Sequence, residues 1–201
     1  MADDEIGSVP DVPAPAAALP SAPRLWDRFK WLALGHILYA IVLLVVAYWD
    51  VDLGNIWITP LFALPLVVAG GRKRLIERAL VMLLGFTAIH YEAMSLTMSL
   101  YTQQLLPGAV GGGFGGLASL ALCLLFRLAP LDRPTIVWTL VGTLLLAVTG
   151  SLGVHLYLLA MGAQNSLDGP LGSAVSMLLI YTPWQLAFAF VLAKVLKPIG
   201  E

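Results

Sequence analysis

Residues 105–125 read LLPGAVGGGFGGLASLALCLL, twenty-one residues with no charge and glycine at positions 108, 111, 112, 113, 115 and 116. A helix rises about 1.5 Å per residue, so a run of this length crosses the roughly 30 Å hydrocarbon layer of a bilayer. Gly108/Gly112, Gly111/Gly115 and Gly112/Gly116 repeat at four residues, the spacing that brings two membrane helices together backbone to backbone. Bare backbone also suits an unwound half-helix lining a ligand cavity. The spacing favours the tight crossing. A phosphate-binding loop is excluded, because no Gly-Lys-Ser/Thr ending follows and no strand precedes.

Working outward, five more apolar runs flank this one, at residues 31–49, 53–70, 79–101, 136–161 and 171–196. None alternates at period two, as barrel strands would. The 201 residues are 59% hydrophobic and 11% charged, against roughly 45–50% and 25% in soluble domains. The expectation is therefore an all-α polytopic bundle of six transmembrane helices over residues 25–201. Residues 1–24 hold five prolines (10, 13, 15, 20 and 23) and the acids Asp3, Asp4, Glu5 and Asp11, with almost nothing to bury, and read as a disordered tail. The acidic start is not that of a signal peptide. A net charge of −1 gives no field to steer nucleic acid, and the single Cys123 cannot form an internal disulfide.

Charge sets the expected orientation. In the six-span reading all eleven Lys and Arg fall on one side: 24, 28 and 30, then 72, 73, 74 and 78, then 127 and 133, then 194 and 197. The opposite loops carry only Asp50, Asp52 and Asp168. The positive-inside rule then puts both termini in the cytoplasm, in a membrane of the bacterial inner type. Trp26, Trp31, Trp49 and Trp57 sit near the expected interfaces as anchors, and His36 reads as interfacial.

The remaining information lies in polar residues that lipid penalises. Glu92 is the one carboxylate well inside a span, and an acid near the bilayer centre costs on the order of 2.5–3.5 kcal/mol. A period of 3.6 places it with Gly85, Ala88, Ser95 and Ser99 on a small, polar face expected to turn inward. It reads equally as a substrate or proton site and as a neutral interhelical hydrogen bond. His90 falls on nearly the opposite face. His155, with Ser151 one turn before it, lies about 10 Å from the outer surface and Glu92 about 13 Å, so the two would pair if their helices touched. The candidate ligand site is Glu92, His155, Ser151, Gly112 and Gly115, with His90 and Gln185 as secondary positions. Pro183 is expected to kink the last span.

Enzyme chemistry has no positive signature. A b-type haem would want His90 and His155 facing each other at one depth, and a zinc site lacks the H-E-x-x-H spacing. Ser151 and His155 are one turn apart, as hydrogen-bonded neighbours often are, and Cys123 has no base at its depth. Two functional readings remain besides haem or quinone binding. One is small-molecule binding and transport through an outward-facing pocket. The other is a non-catalytic scaffold packing against partner subunits or a second copy. In size and span count the chain resembles the substrate-binding subunits of energy-coupling-factor importers. That likeness is architectural, and the small-residue docking motif such subunits carry on the first helix is not evident.

Overall fold

The computed structural model describes residues 25–49, 54–69, 74–100, 105–163 and 169–196. The tail 1–24, Asp50, Asp52, Arg72, Lys73, Asp168 and Lys197 lie outside the described residues, as do the side chains of Trp26, Trp31 and Trp57. Six helices account for nearly all the rest: α1 Leu25–Tyr48, α2 Gly54–Ala69, α3 Leu75–Ser99, α4 Leu106–Leu125, α5 Arg133–Ala163 and α6 Gly169–Val195. No strand occurs among the described residues. Four of these helices, α3 to α6, have the length and apolar composition to cross a membrane. The apolar part of α1, Ala33–Tyr48, is shorter, and α2 has 16 residues interrupted by Pro60 and Pro65.

Packing follows a closed ring in which α1 touches α2, α2 touches α3, and so on through α6, which returns to α1. Many large apolar side chains lie on the outside, as with Leu144, 69% exposed, and Val148, 66% exposed. Such a surface suits lipid rather than water.

The two glycine-bearing sides of α4 explain why its neighbours sit so close. A Cβ on Gly108 would lie 2.5 Å from the Gly150 carbonyl oxygen of α5, and one on Gly112 2.5 Å from that of Leu146. On the other side Gly111 meets Thr97 and Ala93 of α3. Glycine is required at these positions because any side chain would push two backbones apart. Between Leu106 and Leu125 α4 is one continuous helix, so its glycines serve helix crossing and not a break.

Cations gather at one end. Arg74, at the start of α3, donates to the carbonyls of Phe126 and Arg127 at the end of α4. That places a positive charge where the helix leaves bare carbonyls. Arg127 takes a left-handed φ of 56°. Leu128 N–H then reaches the Cys123 carbonyl and Arg127 N–H that of Leu124, the paired bonds of a Schellman ending. At the same end Lys194 of α6 lies 5.2 Å from the Trp138 ring centre of α5.

Asp132 starts α5 in the same region. Its carboxylate accepts the Thr135 backbone N–H at 2.8 Å, an N-cap bond. Hydrogen bonds from the Thr135 side chain and backbone hold the carboxyl below the usual carboxylate range. A lowered folded-state pKa means that this stability is present above the unfolded value and is lost as pH falls through the folded one. Asp132→Ala should therefore melt below wild type at neutral pH. The gap should shrink as pH drops below about 4, the unperturbed carboxylate range, when melting is followed by circular dichroism in detergent.

Candidate ligand cavity

Glycines that let α4 approach its neighbours leave little side chain to fill the space inside the ring. A cavity of about 90 Å³ remains there, between α3, α4 and α6, with Phe62 and Ala63 of α2 and Gly150 and Val154 of α5 completing it. Thr97, two residues from the end of α3, and Gly108, two residues into α4, both line it. It therefore reaches toward the end of the bundle opposite Arg74.

Its floor is aromatic. Phe188 is buried, with the rings of Trp184, Phe86 and Phe62 centred 4.8, 5.4 and 6.0 Å away. Trp184 is fixed at both ends of its ring system. Its indole stacks on Phe188, and Nε1–H donates to the Gly112 carbonyl at 3.0 Å. One wall is bare backbone from Gly108, Gly111, Gly112, Gly115 and Gly150.

Polar groups collect along the opposite edge. His90 lies against Tyr181, ring centres 5.1 Å apart, and makes no hydrogen bond among the described residues. The Gln185 side-chain oxygen accepts a hydrogen bond from His36 Nδ1 at 2.6 Å when His36 carries its proton there. The Gln185 amide nitrogen is left to donate elsewhere. Tyr39 bridges the two groups, 6.4 Å from His36 and 6.3 Å from Tyr181 between ring centres. His36 thus turns toward Gln185, contrary to the interfacial role expected of it. None of the residues lining the cavity is Asp, Glu, Lys or Arg.

Of the candidate residues, Gly112, Gly115, His90 and Gln185 line the cavity, while Glu92, His155 and Ser151 do not. Glu92 is exposed on the outer side of α3 with Ala88, Ser95 and Ser99, not turned inward. The reason is steric. The positions of α3 facing α4 must meet Gly111 and Gly115, and Ala93 and Thr97 do so. With residue 93 facing α4, helical geometry turns Glu92 about 100° outward and brings His90 inside. A π-helical turn over Leu80–Gly85 also breaks the period: Phe86 N–H bonds the Val81 carbonyl, five residues back.

His155 is likewise exposed on α5. Because α4 stands between α3 and α5 in the ring, Glu92 and His155 do not pair. His90 lies inside the ring and His155 outside, so they cannot ligate one haem iron. Ser151 donates to the Leu105 carbonyl at 3.0 Å, tying α5 to the entrance of α4. No group of three or more His, Cys, Asp or Glu is placed to hold a metal among the described residues.

Tyr181, Trp184 and Gln185 stand out in the sequence of the last span, but their grouping with Phe188 around one cavity was not read from it, although a signal was present. Tyr181, Trp184, Gln185 and Phe188 follow i, i+3, i+4 and i+7 spacing and so share one face of α6. Comparison with protein-family models, curated proteins and solved structures finds no match to this chain.

The outward placement of Glu92 has a direct consequence. Glu92→Leu removes a carboxyl from the lipid-facing side and should leave yield and melting temperature at or above wild type. A drop of several degrees in a detergent thermal-shift measurement would show that the carboxyl is held inside.

Proposed function

We propose that this is a six-span protein of the bacterial inner membrane, with both termini cytoplasmic, that binds and transports a small molecule through the cavity between α3, α4 and α6. The single observation carrying the reading is an uncharged cavity of about 90 Å³ with an aromatic floor and with His90 and Gln185 on its lining. Ligand pockets combine this kind of apolar lining with a few convergent polar groups. The collection of cations at one end supports the orientation, since Lys and Arg are retained on the cytoplasmic side. In that orientation the cavity reaches toward the outer face. On this reading α1 and α2, which close the ring, are the first two of six spans. Glu92, His155 and Ser151, weighed as ligand contacts from the sequence, have no part in the reading; Gly112, Gly115, His90 and Gln185 keep theirs.

Filling the cavity tests this. Gly115 lines the cavity and a Cβ there meets only ordinary contacts, Ala93 at 3.4 Å and Trp184 at 3.6 Å, so leucine is the substitution chosen to occupy cavity space. Wild type and Gly115→Leu, purified from the same membranes, are extracted with organic solvent and compared by mass spectrometry. Wild type should release a bound small molecule that is depleted at least about tenfold in Gly115→Leu, a loss of some 1.4 kcal/mol. Identical extracts from two equally folded proteins would contradict the proposal.

A further inference from the structure

We infer that the cavity selects a neutral, flat ring bearing one hydroxyl or carbonyl group at its edge. The inference rests on the proposed ligand-binding role and names the chemistry of its ligand.

Three features of the lining converge on that class. The first is charge. A carboxylate or ammonium entering the cavity would lose its water and meet no counter-ion, because no ionised side chain lines the space. A neutral molecule carries no such penalty.

The second is shape. The glycine wall of α4 and α5 has no projecting side chains, and the Trp184 indole is pinned by its Gly112 hydrogen bond and its stacking on Phe188. A smooth backbone surface and a fixed aromatic surface suit a planar guest. Aromatic faces pair best in offset-stacked or edge-to-face arrangements. A flexible chain would lose rotamer freedom in the same space without gaining those contacts.

The third is the placement of the polar groups. His90 has no hydrogen-bond partner among the described residues, and the Gln185 oxygen is already taken by His36. What remains is one imidazole able to donate or accept, one amide N–H₂ able to donate, and the hydroxyls of Tyr181 and Ser119, which also line the space. A hydroxyl or carbonyl answers both possibilities. A hydrocarbon leaves them unanswered, and leaving a polar group unpaired is what separates such ligands.

Four probes separate the alternatives by thermal shift of the purified full-length protein in detergent. p-Cresol is flat, neutral and hydroxylated; p-xylene replaces its hydroxyl with a methyl; 1-hexanol keeps the hydroxyl on a flexible chain; benzoate is flat and charged. p-Cresol should bind best, roughly three- to tenfold tighter than p-xylene. His90→Leu should bring the p-cresol-to-p-xylene affinity ratio down to about one, a selectivity readout that mere destabilisation would not move. Tighter binding of 1-hexanol or benzoate than of p-cresol would overturn the ligand class and leave the pocket standing. Stabilisation by none of the four would overturn the pocket itself, and this inference with it.

Discussion

The approach of the α4 backbone to the α5 backbone at Gly108, Gly112 and Gly150 is the contact on which the rest of the structure depends. In lipid there is little hydrophobic gain from bringing two apolar helices together, because the tails are as apolar as leucine. Association then rests on dispersion, which weakens steeply with a gap of even half an ångström. Glycine removes the side chain that would hold the axes apart. Because Gly111 does the same toward α3, one helix holds two neighbours and fixes the middle of the ring.

The cavity follows from the same substitution of hydrogen for side chain. A helix with leucine at these positions would fill the interior and stand further from its neighbours. With glycine there, filling falls to α6, whose Trp184 and Phe188 reach across but leave about 90 Å³ open. The bare carbonyl of Gly112 becomes the acceptor that orients Trp184. Helix packing and a prepared aromatic surface therefore share one cause, and the two readings weighed for the glycines, crossing and cavity lining, describe one arrangement.

Much of the helical layout was legible because apolar run length depends on the bilayer alone. Each of the six expected runs falls on a helix, α1 starting six residues before its run, and α3 to α6 have the length and apolar composition of a span. Which face of α3 turns inward was not legible, because polarity suggested Glu92 whereas steric fit selected Ala93 and Thr97. That choice depends on glycines from another helix, and the periodicity of one helix carries no information about its neighbour. The π turn before Phe86 adds a phase shift that no 3.6-residue template anticipates. The polar edge was half legible: His90, Tyr181 and Gln185 are visible in the sequence as polar residues within apolar runs, but nothing in one helix's sequence says that they meet at one edge.

A comparison of two single-methyl additions tests the central contact most directly. In an exposed or roomy helix Gly→Ala is stabilising by up to about 1 kcal/mol. Gly115→Ala should show that gain, since its new methyl meets only ordinary contacts, whereas Gly112→Ala places a methyl 2.5 Å from the Leu146 carbonyl oxygen. The account predicts that Gly112→Ala is less stable than wild type by about 1–3 kcal/mol in reversible detergent unfolding. Equal stability of the two alanine variants would mean that α4 and α5 are not in backbone contact.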